Sequence, residues 1–308
     1  MTSIATSKVA GAGLLEGIGG TGEMPPRQAA RLVRQTSGLD GWLSPGAIYL
    51  FALIDSVQKR QGIHGNLFEI GVHHGKSALV LASMSRPSDK LGVCDIFSAQ
   101  SLNVSASGKG DRDIFLKNFR RVFPDDSFLS VYEKLSSALT PAEITLCRFL
   151  HVDGGHSSAE AFADLELCAQ CLAPGGIIAV DDAFHPTWPG VTDAILRFLA
   201  RHPNMAPLVV GFNKMLLVES KWRDLYARAF DDRSDYRRYI PREPYSLKIV
   251  ELCGYPAYVF YVHSSRSERS FVTWLHRMLL EHPGLKNPAT VIFWRAAHRI
   301  GRVFGLSR

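Results

Sequence analysis

Residues 68–77, Phe68-Glu69-Ile70-Gly71-Val72-His73-His74-Gly75-Lys76-Ser77, constrain the fold more than any other stretch. An apolar run (Leu67, Phe68, Ile70) ends in a Gly-X-X-X-Gly turn, and a segment with helical spacing follows from Ser77 to Ser85. The pattern reads as a buried strand, a tight backbone loop and a helix whose N-terminus faces whatever the loop holds. Glycines allow close approach of backbone to a ligand, and free N–H groups at a helix start favour an electron-rich group. The Gly-X-Gly-X-X-Gly spacing of a dinucleotide site is missing. Glu69 lies where the strand ends, and open α/β sheets bind their ligands at strand ends.

The rest of the chain repeats the strand–helix alternation. Strands are expected at 66–70, 90–95, 129–132, 148–153 and 177–180, with helical patterns at 114–122, 158–172 and 191–201 between them. Two β-rich runs, 207–211 and 214–218, face each other across Phe212-Asn213. This alternation predicts an α/β fold, a doubly wound, seven-stranded, mostly parallel sheet closed by an antiparallel hairpin. Helical patterns precede it from Pro26 to Gln58, with Ser44-Pro45-Gly46 as a start signal. Residues 1–24 read as a flexible leader, 25–60 as an N-terminal helical segment, 61–220 as the main domain and 221–308 as an α+β extension. Within that extension, residues 255–263 read as an aromatic strand, and 288–304 as a basic amphipathic helix. That helix is expected to dock on the domain or on a second subunit, with peripheral contact at a membrane surface as the alternative.

Hydrophobic content of 46% and charged content of 21% are those of a globular domain with a full core. No apolar run of about 18 residues is present, so no spanning helix is expected. A net charge of +6, partly carried by the tail, gives no reason to expect nucleic acid. The five cysteines are scattered, and Cys168-Ala-Gln-Cys171 lies in a helical apolar pattern without a second pair. A reducing cytoplasm fits this usage.

Chemistry is expected at the strand ends. Asp153 follows the fourth strand, and Asp181 with Asp182 follows the fifth. Adjacent acids at a buried strand end repel one another unless a cation or hydrogen bonds compensate, and a hard divalent ion such as Mg²⁺ takes oxygen ligands. His156 and His185 flank the acids and are the candidate proton acceptors. Asp95, ending the second strand, is placed to take a ribose hydroxyl pair. His73 and His74 are expected to contact a ligand rather than a metal.

With these residues assembled, the chain resembles the class I S-adenosylmethionine-dependent methyltransferases over residues 60–220, and so a Rossmann-like sheet. The resemblance is carried by Glu-Ile-Gly-Val-His-His-Gly-Lys-Ser (69–77), Ser-Gly-Lys-Gly-Asp-Arg (107–112), His-Val-Asp-Gly-Gly-His (151–156), and Val-Asp-Asp (180–182) with Trp-Pro-Gly-Val (188–191). It is similar to a bacterial subgroup related to metal-dependent sugar O-methyltransferases of antibiotic pathways. The resemblance implies a cofactor site at Glu69, Gly71, Val72, His73, His74, Gly75, Ser77, Asp95, Ser136 and Asp153. It implies Mg²⁺ or another divalent cation on Asp153, Asp181 and Asp182, and catalysis at His156, His185 and Asp153. Relatives often carry an acid where this chain has Gly155, which moves the expected base to His156. The implied activity is methyl transfer to a hydroxyl of a sugar in a glycan or glycosylated metabolite, by a cytoplasmic homo-oligomer. Phenolic or catechol-like acceptors, a related metal-dependent hydroxylase, and a non-catalytic cofactor-binding subunit are the alternatives.

Overall fold

A computed structural model describes residues 22–241 and 245–262. The leader up to residue 21 and the basic helix expected at 288–304 lie outside the described residues. In chain order the elements are α1 (Pro26–Thr36), α2 (Pro45–Arg60), β1 (Asn66–Ile70), α3 (Lys76–Met84), β2 (Leu91–Asp95), α4 (Arg112–Val122), β3 (Leu129–Glu133), α5 (Pro141–Ile144) and β4 (Cys147–Val152). There follow α6 (Ser158–Gln170), β5 (Leu172–Asp181), α7 (Pro189–Arg201), β6 (Met205–Gly211), β7 (Lys214–Glu219), α8 (Arg223–Asp231), α9 (Arg233–Tyr239), β8 (Tyr245–Leu252) and β9 (Tyr255–Val262). The described residues 22–241 and 247–261 form one compact unit. Of the second unit, 242–246 and 262–308, only three residues are described.

Local chemistry sets the helix starts. Ser44 Oγ accepts from Ala47 N–H at 3.2 Å with Pro45 at the first helical position of α2, and Asp111 Oδ1 accepts from Ile114 N–H at 2.9 Å to cap α4. Ser157 and Glu160 form a reciprocal capping box on α6.

The sheet runs β3-β2-β1-β4-β5-β7-β6-β9-β8. β3, β2, β1, β4 and β5 are mutually parallel, and β7 is antiparallel to both β5 and β6. The strand order reverses between β1 and β4, which opens a crevice at their C-terminal ends. At the opposite ends, fully buried Arg148 ties β4 to its neighbours. Its guanidinium meets Asp55 at 3.0 Å, Gln58 at 2.7 Å, Asp89 at 3.3 Å and the Met84 carbonyl at 2.7 Å.

The α/β, Rossmann-like class is as expected, but the sheet has nine strands rather than seven. The aromatic strand from Tyr255 joins it by pairing parallel with β6, Val209 opposite Tyr258 and Val210 opposite Val259. β8, beside it, alternates weakly and has exposed Ile249 and Val250, so its sequence carries little strand signal. β5 also starts earlier than expected, at Leu172. Ala173-Pro174-Gly175-Gly176, which lies between the expected helix and the expected strand, becomes an irregular strand start with Gly175 at φ 78. Cys168 and Cys171 are both buried, as packing residues.

Candidate active site

The glycine loop is shaped first by its own neighbours. A Cβ on Gly71 would lie 1.8 Å from the Asp153 carbonyl oxygen, and Gly71 sits at φ 83. Gly75, at φ 87, holds the face of Phe115, 2.6 Å from where a Cβ would be. These two glycines therefore serve the close approach of protein to protein. Asp95 completes the loop: its Oδ2 accepts the N–H groups of Val72 at 2.6 Å and His73 at 2.8 Å, and its Oδ1 accepts from Phe97 at 2.6 Å. The loop N–H groups expected to be free for a ligand are thus partly taken by Asp95.

Above the switch point lies a cavity of about 470 Å³. Gly71, Val72, His73, Ser77, Asp95 and Ser136 line one part of it, and Asp153, His156, Asp181, Asp182 and His185 another. Three expected ligand residues do not line it. Glu69 is fully buried beneath the floor, Gly75 caps α3, and His74 stacks on His73 at 3.9 Å with its Nδ1 3.5 Å from Asp40. The segment Asp40–Leu43, Gln100, Asn103 and Lys134 also line the cavity and carry no motif.

Register explains how the acids meet. Ile70, Val152 and Val180 lie side by side across β1, β4 and β5, so Gly71, Asp153 and Asp181 are next in the same row. Antiparallel β7 brings Lys214 opposite Asp181. The β6–β7 hairpin turns through Phe212 and Asn213, both at positive φ (58 and 67), the geometry of a two-residue type I′ turn. Lys214 Nζ is 2.6 Å from Asp181 Oδ2 and 3.9 Å from Asp153 Oδ2. Asn213 Nδ2 donates to Asp181 Oδ1 at 2.9 Å and to Asp182 Oδ1 at 2.7 Å. The other oxygen of Asp182 meets His156 Nε2 at 2.9 Å, while His156 Nδ1 lies 3.0 Å from Ser107 Oγ and the ring stacks on Trp188 at 4.2 Å. His185 makes no such contact with the acids. Its Nδ1 accepts the Thr187 N–H at 3.3 Å.

The charges follow from burial. Asp153 keeps 26% of its side-chain surface exposed, yet surrounding protein and then the Asp181 charge push its carboxyl well above the usual range. Burial alone would raise Asp182 too, but hydrogen bonds from His156 and Asn213 hold it below the ordinary value. Burial would lower Lys214, and the Asp181 and Asp153 charges reverse that. Beneath this row, Glu69 Oε1 and His151 Nδ1 are 2.7 Å apart. Burial pushes Glu69 up to about 8, a rise only partly offset by the Ser77 hydroxyl, and its Oε2 makes no well-formed hydrogen bond among the described residues. Burial holds His151 well below the histidine range, so burial disfavours the charged form of both partners.

Residues 68–183, from β1 to the end of β5, match the family described as "Methyltransferase domain". This stretch is similar to a methyltransferase domain. The sheet order, with its switch point between β1 and β4, is that of the Rossmann-like class. No curated protein matches the chain significantly in sequence. Among solved structures, the O-methyltransferase NovP is 17% identical, covers 64% of this chain and 91% of its own, and superposes with a TM-score of 0.49. The calicheamicin methyltransferase CalS11 follows at 16% identity, 63% of this chain, 93% of its own and a TM-score of 0.46. An O-methyltransferase from Bacillus cereus in complex with SAH gives 16%, 62%, 90% and 0.44. Likeness at this level transfers no residue roles.

The residues present bear on the two groups that a methyltransferase of this kind implies. The cavity beside Asp95 and Ser136 suits the cofactor. For a divalent ion, ligand atoms of Asp153, His156 and Asp182 lie within 4.8 Å of one another. Asp181 groups instead with His151 and Asp153, and it faces Lys214. The three acids expected as one triad are therefore divided. Asn213 and Lys214 were not legible as site residues, because the pairing of β7 with β5 leaves no local trace. The only hint is a lysine opening the apolar run 214–218.

Proposed function

We propose that the chain is an S-adenosylmethionine-dependent O-methyltransferase acting on a hydroxyl of a sugar in a glycan or glycosylated metabolite, assisted by a divalent cation. The observation that carries this reading is one cavity with Asp95 and the glycine loop in one part, and Asp153, Asp182 and His156 in another. The cofactor, when bound, supplies the reactive methyl group. Asp95 and Ser136 would hold its nucleoside, Val72, His73 and Ser77 would surround the remainder, and Glu69 would act from below. Asp153 and Asp182 would hold the cation, which supplies Lewis-acid polarisation of the acceptor oxygen.

His156 is the proton acceptor in this reading. Asp182 accepts from Nε2–H and so fixes the tautomer, leaving the Nδ1 lone pair towards the Ser107 hydroxyl. Nδ1 would take the proton of an acceptor hydroxyl that displaces Ser107, and that oxygen would receive the methyl group from the cofactor, leaving it as the neutral thioether. The protein supplies alignment, and alignment accounts for much of the acceleration in such displacements.

A second reading is favoured by one observation. Trp42, Leu102, Val104 and Leu135 are exposed apolar side chains that line the same cavity. They suit an acceptor with an aromatic or aliphatic body, such as a phenol or catechol. Transfer of labelled methyl from S-adenosylmethionine to a panel of nucleotide sugars, glycosides and catechols, with and without EDTA, tests both readings. Label on a sugar hydroxyl, lost with EDTA, supports the first, and label on catechols alone supports the second. No label on any acceptor contradicts both.

A further inference from the structure

Three carboxylates converge at the ends of β4 and β5, but they are not equivalent. Asp181 is 5% exposed and holds the ammonium of the cluster: Lys214 pairs with Oδ2, while Asn213 and the Asp182 N–H donate to Oδ1. Lys214 is 1% exposed, and its only carboxylate neighbours within 4.0 Å among the described residues are Asp181 and Asp153. A metal ion on Asp181 Oδ2 would need the place that this buried ammonium fills. Asp182, in contrast, meets only neutral or titratable donors, Asn213 and His156. Charge gives the same division. Lys214 cancels one of three negative charges, and the two that remain match a divalent ion.

We propose that Lys214 is the built-in counter-ion of Asp181, so that the divalent site is formed by Asp153 and Asp182 while Asp181 is no ligand. The inference rests on the metal-assisted reading above, and it adds a positioning residue to it. Lys214 Nζ lies 3.9 Å from Asp153 Oδ2, so binding of a cation by Asp153 would be weakened by repulsion from this ammonium. In exchange it keeps Asp181 in place, and with it the Asn213 amide that bridges Asp181 and Asp182.

The test is titration of the full-length protein with Mn²⁺ alone, followed by the EPR signal of the free ion, without cofactor or acceptor. Wild type is expected to bind one ion. Lys214→Met frees Asp181 and removes the repelling charge, and it is expected to bind Mn²⁺ at least tenfold tighter. Asp182→Asn is expected to bind at least tenfold more weakly. The double variant Asp181→Asn with Lys214→Met removes the pair together, a change that buried ion pairs tolerate. It is expected to bind within threefold of wild type, and it carries the test if Lys214→Met alone does not fold. Loss of binding in the double variant to the extent seen in Asp182→Asn would make Asp181 a ligand and overturn the proposal. Unchanged or weaker binding in folded Lys214→Met would overturn it too, as would no Mn²⁺ bound by wild type. Methyl transfer is read separately from label, so these outcomes leave the methyltransferase assignment standing.

Discussion

Asp164 offers a test of the cavity floor that is independent of any ligand. It lies on α6, 2% exposed; its Oδ2 is 2.9 Å from where a Cβ on Gly154 would sit and makes no well-formed hydrogen bond among the described residues. Burial pushes its carboxyl from 3.8 to about 6, against a smaller pull from the Ser136 hydroxyl. The folded state therefore keeps its proton longer than the unfolded chain. Stability from this residue is complete below about pH 4 and is lost as pH climbs to about 6, a change worth about 3 kcal/mol. Asp164→Asn cannot ionise and should lack this loss. Urea unfolding of both proteins between pH 4.5 and 7.5, followed by tryptophan fluorescence, measures the difference. Relative to wild type, the variant should gain about 2 kcal/mol across that range, whatever constant offset its amide introduces. A difference that is flat with pH, or that moves the other way, would refute the burial argument.

Three further outcomes follow from the geometry. Gly71→Ala would press a methyl group into the Asp153 carbonyl at 1.8 Å and force a side chain into φ 83; loss of soluble folded protein, or at least about 4 kcal/mol by chemical denaturation, is expected. Arg148→Met leaves buried Asp55 with Lys59 alone and Asp89 with Arg86 alone, and should cost about 3 kcal/mol in the same assay. His156→Gln should lower kcat about 10²–10⁴-fold, as for loss of a general base, with binding of S-adenosylhomocysteine unchanged by calorimetry.

Much of this architecture is legible in the chain because its signals are local. Leu67 to Ile70 followed by Gly71 marks β1 and its loop, and Ser157 with Glu160 marks the start of α6. Asp153, Asp181 and Asp182 stand out because acids seldom end apolar runs. What stays hidden is non-local. Lys214 reads as an ordinary lysine until antiparallel pairing sets it against Asp181. Glu69 reads as a ligand residue at a strand end, whereas its register partner is His151, and the two bury each other. Gly71 and Gly75 read as openings for a ligand, while the atoms that need the space belong to Asp153 and Phe115. Trp42 lies in a turn between α1 and α2, and only tertiary packing brings it over His73, at 5.5 Å.

The central claim is that the cavity between Asp95 and the strand-end acids binds the methyl donor. Calorimetric titration of the full-length protein with S-adenosylhomocysteine tests it most directly, with Asp95→Ala as the comparison. One site per chain with micromolar affinity, weakened at least tenfold in a folded Asp95→Ala, is the predicted result. No binding to wild-type protein, or equal binding to the variant, would contradict the account.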